Sequence, residues 1–173
     1  MKKSTKILLL CISCVVFIGV DRITKTLAKQ HLQYQMPITY LHDTIVLQYA
    51  ENTGAAMSLG DGMSPKLNFW LLSILPLIFL AILFIYVVRE LKDFPLLKLI
   101  SYSMVIAGGL GNIIDRLQYD RHVTDFMNLG IGSLRTGIFN FADMCVTGGI
   151  IGLIISYNKK DVVEPVSENT QVE

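Results

Sequence analysis

Charge is scarce in this chain. Only 17% of its 173 residues are Asp, Glu, Lys or Arg, against a hydrophobic share of 52% and a mean hydropathy of +0.51. That balance is too apolar for an ordinary soluble domain of this length, and a lipid bilayer is the expected solvent. The net charge is only +1, so neither nucleic acid nor an acidic partner is implied, and no nucleic-acid-binding motif occurs. Histidine is scarce too: His31, His42 and His122 lack zinc-ligand spacing, and there is no H-E-x-x-H, no G-x-S-x-G elbow and no Walker loop. No metal and no cofactor are expected. The three cysteines, Cys11, Cys14 and Cys145, lie inside apolar runs, and their odd number leaves one without an intramolecular partner. Cys11 and Cys14 form a C-x-x-C, but a redox motif needs an accessible thiolate that a lipid-embedded helix does not offer. Helix packing is the expected use of these thiols.

What the chain has in quantity is apolar runs. Crossing about 30 Å of hydrocarbon takes roughly 20 residues, and four segments qualify: residues 7–28, 67–88, 96–116 and 138–157. The basic, apolar N-terminus has the outline of a signal peptide, yet no A-x-A-like cleavage site follows, so a retained first helix is expected. The apolar part of that helix, Ile7 to Val20, is short, and Asp21 through Lys25 must continue it into the far interface. Asp21 and Lys25, at i and i+4, can pair. Pro76 inside the second run is tolerable where neighbours satisfy the freed carbonyl. Trp70, Tyr86, Tyr102, Tyr119 and Tyr157 stand near the ends of the runs, where aromatic belts form.

Lys2, Lys3 and Lys6, then Arg89, Lys92 and Lys98, then Lys159 and Lys160 are concentrated in three short flanks, which places both termini in the cytoplasm. The two long connections then lie outside. Residues 31–65 contain the β-prone TIVLQYA with turn signals at Pro37, Asn52, Gly54, Gly60 and Gly62, so a small extracytoplasmic β-ribbon at the membrane surface is expected. The loop 117–137 holds a second β-prone patch, HVTDFMNL, and a Gly130-x-Gly132 turn. The fold class is a mainly α membrane protein with four transmembrane helices and that ribbon. Residues 1–160 form one domain, and the polar tail 161–173 is expected to be disordered.

Polar groups in a membrane helix are costly, so those present usually face protein or a water-filled cavity. In the third segment Gly108, Asn112, Asp115 and Arg116 fall at i, i+4, i+7 and i+8, on one face near the external end. In the fourth, Asn140 and Asp143 fall at i and i+3, sharing a face near the external start, with Asp143 about 8 Å along a helix counted from Ile138. Asp125, in the intervening loop, must return to the same membrane surface. Two carboxylates so placed can converge; repulsion then keeps one protonated while the other is ionised, the arrangement needed for general acid–base hydrolysis of an amide. Pairing with Arg116, Arg121 or Lys25 as structural glue is equally open from charge placement alone. A proton relay through Asp21, Asp115, Asp125 and Asp143 would need carboxylates through the whole membrane depth, and the cytoplasmic halves of the helices carry none. A non-enzymatic scaffold is the remaining alternative. Gly148-x-x-x-Gly152 is read as a helix contact, and Asn52-Thr-Gly54 as a turn whose backbone amide could line a groove.

The motifs Asp21-x-x-Thr24-Lys25, Asn52-x-Gly54-Ala55-Ala56, Gly108-Gly109-x-Gly111-Asn112-x-x-Asp115-Arg116, Val123-x-Asp125-Phe126 and Phe139-Asn140-x-Ala142-Asp143 together resemble lipoprotein signal peptidase, or signal peptidase II, in order and spacing. The resemblance implies a monomeric aspartyl endopeptidase of the bacterial inner membrane that works on prolipoproteins. Its substrate would carry a diacylglyceryl-modified cysteine, with cleavage just before that cysteine, and membrane lipid would be its other partner. It also implies Asp125 and Asp143 as catalytic dyad, and Asn52, Gly54, Gly108, Asn112, Arg116 and Asn140 around the substrate. Asp21 and Lys25 match the family's first-helix motif, and Asp115 supports the fold through ion pairs. The family often has an aromatic residue where Met57 stands, alanine at Leu110 and proline at Gly137, departures that touch pocket shape and loop stiffness rather than the dyad. A diacylated cysteine is held to the bilayer by about 0.8 kcal/mol for each buried CH₂, so such a protease must bring its acids and water to the membrane surface.

Overall fold

The computed structural model describes residues 1–54 and 62–158. The motif residues Ala55 and Ala56, Met57, and the tail 161–173 lie outside the described residues. The elements are α1 (Lys3–Leu32), β1 (Ile38–Tyr40), β2 (Ile45–Asn52), α2 (Pro65–Phe69), α3 (Leu75–Glu90), α4 (Leu96–Gln118), β3 (Val123–Ile131), β4 (Leu134–Arg135) and α5 (Phe141–Asn158). Among the described residues, three helical stretches are long and apolar enough to cross a membrane: Lys3–Leu32, Pro65–Asp93 and Leu96–Gln118. Phe141–Tyr157 is a shorter apolar helix. Large aliphatic and aromatic side chains such as Val15, Phe79, Ile82 and Ile154 point outward, each more than half exposed, the pattern of a surface solvated by lipid.

Helix ends differ from the sequence expectation for local reasons. α1 runs past residue 28 to Leu32, since Asp21, Arg22 and Lys25 are consumed by contacts with α4 instead of ending the helix in water. Between α2 and α3, Trp70–Ile74 forms a π-helical turn. It immediately precedes the turn that holds Pro76, where the ring would otherwise press on the carbonyl one turn back, and the wider turn relieves that clash. α5 begins at Phe141, three residues after the expected start at Ile138, so Asn140 stands before the helix.

The expected ribbon is only half of a larger sheet. β1, β2, β3 and β4 lie side by side, all antiparallel, so the first external connection pairs with the second. Ala50 opposes Asp125, Glu51 opposes Thr124 and Asn52 opposes Val123, with a bulge between Leu47 and Ala50. The β1–β2 turn uses Leu41, His42 and Asp43 in left-handed backbone conformation, with none of the glycines and without the proline that flagged turns in this region. Gly132, φ 56°, supplies the tight β3–β4 turn that its sequence suggested.

Two apolar clusters hold the parts together. Leu10, Val87, Leu91, Phe94, Leu99 and Ile106 pack α1, α3 and α4 at one end. Ala28, Leu32 and Phe126, flanked by Leu47, Tyr49 and Met127, seat the sheet on the C-terminal end of α1. Glycines bring α4 and α5 into backbone contact: a Cβ at Gly149 would meet the Ser101 carbonyl oxygen at 2.7 Å, and one at Gly148 the Met104 side chain at 2.9 Å. Gly148 and Gly152 thus face α4 as a packing seam.

Candidate active site

Asp125 and Asp143 are brought together by one short piece of pairing. Phe139 bridges to Met127, exchanging backbone hydrogen bonds of 2.8 and 2.9 Å. Two residues after Phe139 the chain enters α5, so the start of that helix is stitched to the strand carrying Asp125.

At that start Asn140 and Asp143 form a reciprocal cap. The Asp143 amide donates to Asn140 Oδ1 over 3.1 Å, and the Asn140 amide donates to Asp143 Oδ2 over 3.0 Å. This is the capping-box arrangement, with aspartate at the third helical position in place of glutamate. The i, i+3 spacing read as a shared helix face is therefore a helix start, and Asp143 sits at the positive end of α5.

Two asparagine side chains link the two acids, and a third holds one of them. Asn140 Nδ2 donates to Asp125 Oδ1 over 2.6 Å and to Asn112 Oδ1 over 3.1 Å. Asn112 Nδ2 donates to Asp143 Oδ1 over 2.8 Å. Asn52, at the end of β2, donates to Asp125 Oδ2 over 3.0 Å. Asp125 is only 3% exposed; burial is the largest influence on its carboxyl, and together with the nearby Asp143 charge it outweighs these hydrogen bonds and pushes the pKa from 3.8 up to about 6. Among the described residues no ion pair reaches Asp125 or Asp143: the Arg116, Arg121 and Lys25 partners weighed from the sequence are engaged elsewhere.

The remaining residues divide. Gly54 closes a turn by donating its amide to Asn52 Oδ1 over 2.9 Å, and its carbonyl accepts from Arg116 Nη2 at 2.8 Å. Both therefore flank the acids. Gly108 does not face a groove: the space where its Cβ would lie is taken by the Ala142 carbonyl and the Val146 side chain. Leu110 packs on the distant apolar cluster, and the Gly137 carbonyl accepts from Asn128. Asp115, on the same side of α4 as Asn112, is fully buried toward α1.

Asp21 and Lys25 pair at 3.0 Å, as their spacing suggested. Lys25 also reaches Asp115 at 2.8 Å and Asn112 Oδ1 at 3.0 Å. Arg22, to which the sequence analysis assigns no role, ion-pairs with both Asp21 and Asp115. The available signal was a third charge packed between Asp21 and Lys25 in an otherwise apolar helix. The four buried or half-buried acids Asp21, Asp115, Asp125 and Asp143 form one connected cluster, not a chain through the depth of the bundle.

A family model for signal peptidase (SPase) II matches residues 13–159. The lipoprotein signal peptidase of Clostridium tetani is 35% identical over 153 residues, spanning 87% of this chain and 94% of that protein. That of Streptococcus agalactiae serotype Ia is 30% identical over 147 residues, spanning 85% of this chain and 90% of that protein. In three dimensions the chain is similar to a bacterial membrane enzyme solved by the in meso method at 2.3 Å resolution, with a TM-score of 0.75, 25% identity, and 95% and 94% of the two chains covered. With the matched region running from the first helix past the capped start of α5, the chain belongs to the signal peptidase II family.

Proposed function

We propose that this protein is a membrane aspartyl endopeptidase that removes the signal peptide from diacylglyceryl-modified prolipoproteins, cutting just before the lipidated cysteine. The observation that carries the reading is the asparagine-bridged pair Asp125 and Asp143, with the Asp125 carboxyl held near 6. Asp125 holds the shared proton and donates it toward the scissile carbonyl oxygen. Asp143, at the positive end of α5, takes a proton from the attacking water. Water adds to the carbonyl carbon, the tetrahedral intermediate collapses, and the amide nitrogen leaves with a proton returned by the pair. A substrate seated over the acids displaces water and strengthens their coupling.

Asn52, Asn112 and Asn140 fix the carboxylates so that one proton and one water are shared in a single geometry. Arg116 and Gly54 offer polar groups to the substrate backbone beside the acids, while Gly108 acts by letting α5 approach α4. The protein works as a single domain, 1–160, and a monomer. α5 makes a fourth crossing, both termini face the cytoplasm, and the sheet and acids lie at the outer interface of the bacterial inner membrane, where the diacylglyceryl group anchors the substrate. Family membership and the exposed apolar faces support this placement.

A gel-shift assay with a diacylated prolipoprotein tests the reading. Wild type should convert it to the cleaved form, while Asp125→Asn and Asp143→Asn, both folded, should not. Unimpaired cleavage by either variant would refute it.

A further inference from the structure

Three buried charges and a fourth half-buried among membrane helices are a costly way to hold a bundle together, since apolar packing of similar volume is often as stable. Asp21 is 1% exposed, Lys25 4% and Asp115 0%. Their formal charges, with Arg22, cancel: Asp21 pairs with Arg22 and Lys25, and Asp115 pairs with the same two cations. That leaves one carboxylate oxygen on each acid with a further bond, and both bonds go to backbone. Asp21 Oδ1 accepts the amide of Ala142 at 3.0 Å, and Asp115 Oδ2 accepts the amide of Thr124 at 3.3 Å. Ala142 is the residue immediately before Asp143, and Thr124 is the residue immediately before Asp125.

Resting on the dyad reading above, we propose that Asp21, Arg22, Lys25 and Asp115 form a spacing clamp: through the amides of Ala142 and Thr124 the quartet fixes the separation of Asp143 and Asp125. All four are positioning residues, and none touches the reacting atoms. The two arms are joined rigidly because Arg22 bridges both acids and also donates to the Gly111 carbonyl at 3.1 Å. Lys25 closes the second bridge and, through Asn112, connects the quartet to Asp143. Gly111 is part of the device: a Cβ there would stand 2.7 Å from Asp21 Oδ2 and 3.2 Å from the Ala142 Cβ. Only glycine lets Asp21 reach the start of α5 across α4.

A coupled pair of acids titrates with two apparent pKa values that belong to the pair, and these spread apart as the carboxylates approach. The bell-shaped pH profile of kcat therefore reads the spacing. Gly111→Ala alters no charge but displaces the Asp21 arm, so its profile should narrow, both limbs moving inward. Its kcat should fall about 10- to 100-fold, the scale expected for a misplacement near 1 Å, with KM changed less than about twofold. Arg22→Lys conserves charge but loses the planar fork whose Nη1 holds Asp115 while Nη2 holds Asp21 and the Gly111 carbonyl; it should narrow the profile in the same way and is decisive if Gly111→Ala does not fold. The assay is cleavage of the diacylated prolipoprotein by the full chain in lipid, with Asp143→Asn alongside. Lower activity with unmoved limbs overturns the clamp, as do limbs that shift together in one direction, which report a field and not a spacing. Cleavage by Asp143→Asn defeats the dyad reading itself, a result separate from either.

Discussion

Asn140 donates to Asp125 over 2.6 Å while its own Oδ1 caps the helix whose first turn carries Asp143. One side chain thus ties the acid of a strand to the acid of a helix, and the two halves of its amide do different work. The oxygen holds a helix start, and the nitrogen holds a carboxylate.

That division can be separated by mutation. Asn140→Ser keeps an oxygen for the cap and loses the amide donor to the buried Asp125; it should lower kcat about tenfold or more and destabilise by about 1.5–3 kcal/mol, the worth of a hydrogen bond to a charged group. Asn140→Ala loses both and should destabilise by about 1 kcal/mol in addition. Thermal unfolding in detergent, read beside cleavage rate, checks the pair; equal stability of the two variants would contradict the cap.

Asn52 donates to the ionised form of Asp125 and so holds its pKa down against burial. Removing that donor in Asn52→Ala should let the carboxyl rise above its value of about 6, moving the alkaline limb of the pH profile upward. A limb that stays put or moves down would show that the Asn52 bond does not act on the titrating proton.

Stability should carry the same signature. The folded Asp125 carboxyl, at about 6, binds its proton more tightly than the unfolded one at 3.8. Its favourable contribution is therefore complete below about pH 4 and is lost as pH rises through 6, by about 3 kcal/mol in all at about 1.4 kcal/mol per unit. The difference in Tm, Asp125→Asn minus wild type, should increase steadily between pH 4 and 7, because only wild type pays that ionisation. A flat difference would contradict the raised value.

Two glycines of one seam should behave differently. Gly149→Ala drives a methyl into the Ser101 carbonyl, two turns along α5 from the acids, and should cost about 1–3 kcal/mol of stability by overpacking while the folded fraction keeps its kcat. Gly108→Ala strikes the Ala142 carbonyl at the helix start and should lower kcat as well as stability. Active-site titration of the folded fraction separates the effects.

At the other end of the bundle, Lys6 donates to the carbonyls of Lys92 and Phe94 at 2.7 and 2.8 Å, tying α1 to the turn between α3 and α4. Lys6→Met should lower Tm by a few degrees, corresponding to about 1–2 kcal/mol, with cleavage unchanged. Loss of activity in a folded Lys6→Met would point to communication between the two ends that nothing in the site accounts for.

The sequence by itself determined the apolar helices, the i, i+4 pairing of Asp21 with Lys25, the turn at Gly132 and the candidacy of Asp125 and Asp143. Each of these is written in hydrophobic runs, short spacings or motif context, and the backbone obeys such signals locally. Only the tertiary structure decided that the two external connections share one sheet, that Asn140 is a cap and not a face, that Gly108 is a helix contact, and that Arg22 joins Asp21 to Asp115. The reason is that each of these depends on groups far apart in the chain meeting with their polar atoms satisfied. Asp125 reaches Asn140 through the pairing of Met127 with Phe139, and no periodicity in the sequence specifies which strand a returning loop will bond.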